Sequence, residues 1–86
     1  MLFAIRYTDK PGHAQVRADT RADHLAYLKA HGDRLKLAGP LTSDDGGQVL
    51  GSLLVVEAED RAEAEAFAAA DPYAKAGLFE RVEIDG

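Results

Sequence analysis

Two kinds of apolar repeat alternate along this chain, and their order predicts the elements. Residues 2–8, Leu-Phe-Ala-Ile-Arg-Tyr-Thr, are aromatic and branched and predict a first strand. Asp9-Lys10-Pro11-Gly12 is a turn cluster. Helical spacing follows over residues 17–36, where Leu25, Leu28 and Leu35 share one side with Gly32. The opposite side carries Asp23, Lys29, Asp33 and Arg34 and reads as solvated. This helix is expected to end near Ala38, with Gly39-Pro40 as its stop and a bend. Leu41 and Thr42 then begin a short second strand. Asp44-Asp45-Gly46-Gly47 is a hairpin signal, because these residues tolerate the positive φ of tight turns. Gln48 to Glu57 is the most apolar segment and predicts the third strand. Asp60 opens a second helix, and Glu63 three residues on suggests a capping box. Residues 78–84 predict the last strand.

The order β-α-β-β-α-β defines a ferredoxin-like α+β arrangement, with both helices on one face of a four-stranded antiparallel sheet. The third strand sends Leu54 and Val56 to one side and Leu53 and Val55 to the other, so both sheet faces need cover. Exposed apolar patches mark interfaces. A homodimer packed through the bare sheet face is the expected solution.

Composition narrows the function classes. A chain of 86 residues is expected to be one domain, 1–86, and one this short gains from oligomerisation. There are no cysteines, hence no disulfides, thiolate metal ligands or thiol redox chemistry, which fits a cytoplasmic setting. The apolar run from Met1 to Ile5 is too short for a signal peptide or a membrane span. With 15 acidic and 10 basic residues, a net charge of −5 and no basic stripe, nucleic acid is not an expected partner. No phosphate-cradling loop is present, since Gly46-Gly47 lacks a following Lys-Ser or Lys-Thr. No cofactor is expected.

The candidate chemistry lies where polar residues interrupt apolar stripes. Asp71 follows Ala64, Phe67 and Ala68 by seven, four and three residues, so it ends the inward stripe of the second helix, and Pro72 stops that helix. A carboxylate aimed at a core needs a partner. His24 and His31 precede Leu28 and Leu35 by four, which puts both imidazoles on the leucine stripe of the first helix. His24 on one helix and Asp71 on the other can meet if both stripes face the same sheet. A histidine with one ring nitrogen held by a carboxylate has its other nitrogen set as an acceptor, a general base for proton transfer, isomerisation or elimination. The bland alternative is a satisfied core histidine. His31, near the helix end, reads as a C-terminal helix residue, and His13 as surface.

Three further residues are candidates for binding substrate. Arg21, one turn before His24, either holds an anionic group or is a first-turn surface arginine. Ser52 beside Gly51 reads as a strand residue making room for a neighbour, with a second reading as donor to a substrate oxygen. Tyr73 packs at the helix exit or lines a pocket mouth. No oxyanion hole is visible in the sequence. No metal site is expected, because His13, His24 and His31 have no carboxylates at converging spacing.

Four segments in order, Arg21-Ala22-Asp23-His24-Leu25, Gly39-Pro40-Leu41, Gly51-Ser52 and Asp71-Pro72-Tyr73 through Phe79, resemble the YciI-like proteins of the dimeric α/β-barrel group. The resemblance spans nearly the whole chain, and its last segment is the most specific. It implies a small dimeric protein with a site centred on His24 and Asp71. It also implies kinship in fold with enzymes that eliminate chloride from chlorinated hydroxyquinones and with muconolactone isomerases. The expected function is a lyase or isomerase acting on a small cyclic or aromatic metabolite. A binding or regulatory module with the same pocket and no turnover, and a purely structural pair, are the competing readings.

Overall fold

A computed structural model describes all residues, 1–86. Its elements are β1 (Leu2–Asp9), α1 (Ala14–Ala30), β2 (Leu35–Thr42), β3 (Val49–Glu57), α2 (Arg61–Ala70), α3 (Pro72–Lys75) and β4 (Phe79–Asp85). The strands form one antiparallel sheet in the order β2-β3-β1-β4, the ferredoxin-like arrangement.

Alternation along β1 turns Phe3, Ile5 and Tyr7 to the helices, and their β3 partners Val56, Leu54 and Ser52 share that face. Leu28 of α1 and Ala64, Phe67 and Ala68 of α2 close over them. The alanines matter here, since their small side chains let α2 approach the sheet closely. The Asp60 side chain accepts from the Glu63 backbone N–H at 2.9 Å, which supplies one half of the expected capping box.

The first helix is shorter than its leucine spacing predicts. It ends at Ala30, where Gly32 and Asp33, both poor helix formers, fall in a turn closed by bonds from Arg34 and Leu35 N–H to the His31 carbonyl. Gly39-Pro40 is therefore no helix stop. Both residues lie within β2, an edge strand, where a proline without an N–H is tolerated. Leu35, read as helical, pairs with Val56. Leu25, read as inward, is 43% exposed. The inward stripe of α1 instead runs through Arg17, Thr20, His24, Leu28 and His31, which are buried or half-buried. Pro72 does end α2, as expected, and then opens the short α3, which the sequence did not predict.

Gly51 is needed for the pairing of β1 with β3. A Cβ at that position would run into the Tyr7 carbonyl oxygen, so only glycine permits the strands to close there. Its neighbour Ser52 consequently sits tight against the helix-facing side. The other sheet face has no helix over it, and Leu2 and Leu37 are 50% and 53% exposed.

Candidate functional site

Asp71 joins two helices. It is the last cap of α2 and the first cap of α3, where its Oδ1 accepts from the Tyr73 backbone N–H at 2.9 Å. Its side chain is fully buried, and the group it holds is His24: Nδ1 lies 2.9 Å from Oδ1 and 3.0 Å from Oδ2. A carboxylate only accepts, so Nδ1 carries a proton, and in the neutral ring Nε2 is then the acceptor nitrogen. The Tyr73 ring stacks on the imidazole, with centroids 4.0 Å apart and planes at 15°. Phe79 meets Tyr73 edge-on and stacks in turn on Tyr7, whose hydroxyl donates to the Ala68 carbonyl at 3.3 Å. The imidazole is thus fixed by a carboxylate on its edge and an aromatic wall on its face.

His24 lines a cavity of about 210 Å³ between α1, β2 and β3. Arg17, Arg21, Ser52 and Tyr73 supply its other polar groups, and Leu25, Leu28 and Leu54 its apolar side. Gly39 and Pro40 bound it at the sheet edge. Of the residues singled out in the sequence, His24, Arg21, Ser52 and Tyr73 therefore share one cavity, and Asp71 stands behind His24. Ser52 is buried, and Arg21 is exposed at the cavity. His31 caps the C-terminal end of α1 against Tyr27 and Phe67, away from this site. His13 begins α1 with Nδ1 donating to the Pro11 carbonyl at 2.9 Å.

Sequence reasoning missed Arg17 and Asp9. The Arg17 Nε and Nη2 donate to the two Asp9 carboxylate oxygens at 2.8 and 2.9 Å, and Nη2 also donates to Ser52 Oγ at 2.9 Å. The guanidinium carbon lies 4.7 Å from the Tyr73 ring centre. Burial works against the Arg17 charge, but the hydrogen bonds and charge of Asp9 more than offset it and raise its pKa. Burial also raises the Tyr73 phenol, with Arg17 and Arg21 pulling the other way. The available signal was spacing: Arg17 precedes His24 by seven residues, two turns of one helix face.

A ferredoxin-like α+β chain with a carboxylate-held histidine on an open cavity is the class that fold and site define. Within that class the chain belongs to the YCII-related domain family, whose model matches residues 1–85. It is 38% identical over 91 residues to the Escherichia coli protein YciI, covering 98% of this chain and 93% of that one. Among solved structures it is similar to the 5-chloro-2-hydroxyhydroquinone dehydrochlorinase of Burkholderia phenoliruptrix, in complex with 2,5-dihydroxybenzoquinone. That match has a TM-score of 0.90 and 40% identity over 100% of this chain and 92% of the enzyme. A Pseudomonas aeruginosa protein shares the fold at 16% identity, with a TM-score of 0.54 over 98% of this chain and 87% of its own. No helix is long and apolar enough to cross a membrane.

Proposed function

We propose that this chain is a small acid–base enzyme that moves a proton on a hydroxylated aromatic or cyclic metabolite, with elimination of hydrogen chloride from a chlorinated hydroquinone as the leading reaction. The observation that carries this reading is the His24 ring, held through Nδ1 by a buried carboxylate while the residue lines a cavity. The similarity to a dehydrochlorinase at 40% identity supports it.

In this reading Nε2 takes a hydroxyl proton, and the freed electron pair moves into the ring as a C=O bond forms. The same nitrogen returns a proton to the ring carbon that bears chlorine. Loss of a second hydroxyl proton then expels chloride with the C–Cl electron pair, leaving the ring at the quinone level. Chloride carries away the two electrons, so no external oxidant or cofactor is needed. A positioned acid–base of this kind contributes about 10²–10⁴-fold in rate. Stacked Tyr73 keeps the imidazole from turning as its charge changes.

The reading extends to the assembly. The chain is one functional unit over residues 1–86 and works as a homodimer, each copy covering the other's open sheet face. Half-exposed Leu2 and Leu37 beside partly covered Leu53 and Val55 support this.

The test is chloride release from 5-chloro-2-hydroxyhydroquinone by the intact chain and its variants. His24→Ala and Asp71→Asn should each lower the rate by about 10²–10⁴-fold. An asparagine offers Nδ1 either an oxygen or an N–H group, so it no longer dictates which ring nitrogen is protonated. Undiminished chloride release in both variants would refute the proton-transfer role. A wild type that binds the quinone without releasing chloride from the chlorinated compound would be a binding module.

A further inference from the structure

We infer that Arg17 and Ser52, with Asp9 behind them holding Arg17, form an anion-holding wall in the His24 cavity, which receives the ligand oxygen where negative charge collects when a proton is removed; this rests on the proton-transfer reading above. A guanidinium has five N–H donors and no acceptor. Arg17 directs Nε and Nη2 at the Asp9 carboxylate and Nη2 also at Ser52 Oγ, and its guanidinium lies over the Tyr73 ring and also interacts with the Tyr73 hydroxyl. Ser52 accepts from a group that can only donate, so its own proton must go elsewhere. It is 4% exposed, makes no other side-chain hydrogen bond, and lines the cavity. The Ser52 O–H is therefore an available donor on the cavity wall, and Arg17, which also lines that cavity, fixes its direction by donating to Oγ.

Asp9 is the positioning residue. It lies where the register of β1 against β4 shifts, and a shift of that kind re-aims a side chain. Its bidentate grip sets the plane of the guanidinium, which a lysine could not reproduce. Because Asp9 neutralises Arg17, the wall works through aimed N–H and O–H dipoles. Arg21 at the cavity forms no ion pair with any acid of the chain and supplies unbalanced positive charge. Tyr73 does not cancel that charge, since burial holds its phenol protonated. Arg17 and His24 are seven residues apart, about 10 Å along the helix axis. The cavity of about 210 Å³ exceeds the roughly 150 Å³ that admits benzene. The site therefore fits a one-ring ligand with oxygen substituents, one meeting His24 and another meeting Arg17 and Ser52.

The experiment compares two probes of nearly the same shape, 4-nitrophenol and its methyl ether 4-nitroanisole, at a pH where the phenol is ionised in water. Wild type should bind the phenolate roughly ten- to a hundredfold more tightly than the ether. Ser52→Ala and Arg17→Lys should each cut that preference to within about threefold. Asp9→Asn should weaken it similarly, and Asp9→Glu should restore part of it, a rescue that lost stability alone would not produce. The absorption band of the bound phenol reports its ionisation directly. A wild type without the preference, or one that keeps it in both Ser52→Ala and Arg17→Lys, overturns the inference. His24→Gln should lose chloride release and keep the preference. If His24→Gln loses the preference instead, the wall is not what holds the anion. A preference that persists in a wild type with no chloride release would sink the proton-transfer reading alone.

Discussion

Asp71 is the most legible functional residue, and Arg17 the least, for the same physical reason. Asp71 breaks an alanine and phenylalanine stripe just before a proline, so its inward aim is written in the spacing. Arg17 lies in a helix whose inward face is largely polar. A search for apolar periodicity slides towards Leu25 and Leu35, which are respectively 43% exposed and in a strand. Ser52 was legible only as one of two readings, because the direction of a hydroxyl depends on Arg17. At this same scale, Tyr7 gives the chain an alkaline limit. Burial, then the negative charge of Asp71, raises its phenol far above the ordinary value of 10.0. A raised value means the folded state keeps a proton that the unfolded chain gives up. The contribution is therefore whole below about pH 10 and falls as pH climbs past it. Tyr7→Phe should cost about 1 kcal/mol at neutral pH through the lost bond to Ala68. It should also flatten the fall in stability above pH 10, as urea unfolding at several pH values would reveal. Some fall should persist, since Tyr27 and Tyr73 shift in the same direction.

Among the elements, the strands β1, β3 and β4 follow the branched and aromatic runs of the sequence to within about two residues. The misreading of β2 as helix has a local cause. Leu28 and Leu35 are seven apart, which satisfies a helical stripe, while the strand's period of two is broken by a register shift that sets Leu35 opposite Val56 and Leu37 opposite Val55. The pairing offered by β3 decides between them, and a single sequence does not display that pairing. Its consequence for the site is that Gly39-Pro40 forms part of a cavity wall. Gly51 supports the opposite wall. Gly51→Ala puts a methyl against the Tyr7 carbonyl and should destabilise by about 2 kcal/mol or more. It should also weaken 4-nitrophenol binding, because Ser52 is the next residue. A Gly51→Ala protein with unchanged urea midpoint would show that β1 and β3 approach less closely than described.

For the whole molecule, strand order and layer arrangement followed from the element order, even with one element misassigned, because ferredoxin-like topology leaves few alternatives. The sheet's uncovered face was also legible, from Leu53 and Val55 alternating with Leu54 and Val56. If a second copy covers it, Val55→Lys should place two charges in that contact and leave monomers at micromolar concentration. Sedimentation equilibrium checks this. A wild type that sediments as a monomer, or a Val55→Lys chain that still pairs, would place the contact elsewhere or remove it. The variant leaves the helix side of the sheet untouched, so it also tests whether a lone copy retains its chloride-releasing ability.

The double role of Asp71 has an evolutionary reading. One carboxylate ends α2, opens α3 and secures His24, and losing it altogether would cost about 3 kcal/mol in a fully buried setting. A descendant released from selection for chemistry would still be selected to keep it for folding. The histidine caps no helix, and its structural duty, giving the buried carboxylate a donor, can pass to another side chain with an N–H. Among divergent copies of this chain, erosion of activity should therefore register first as drift at position 24, with the aspartate surviving as a fossil of the former site.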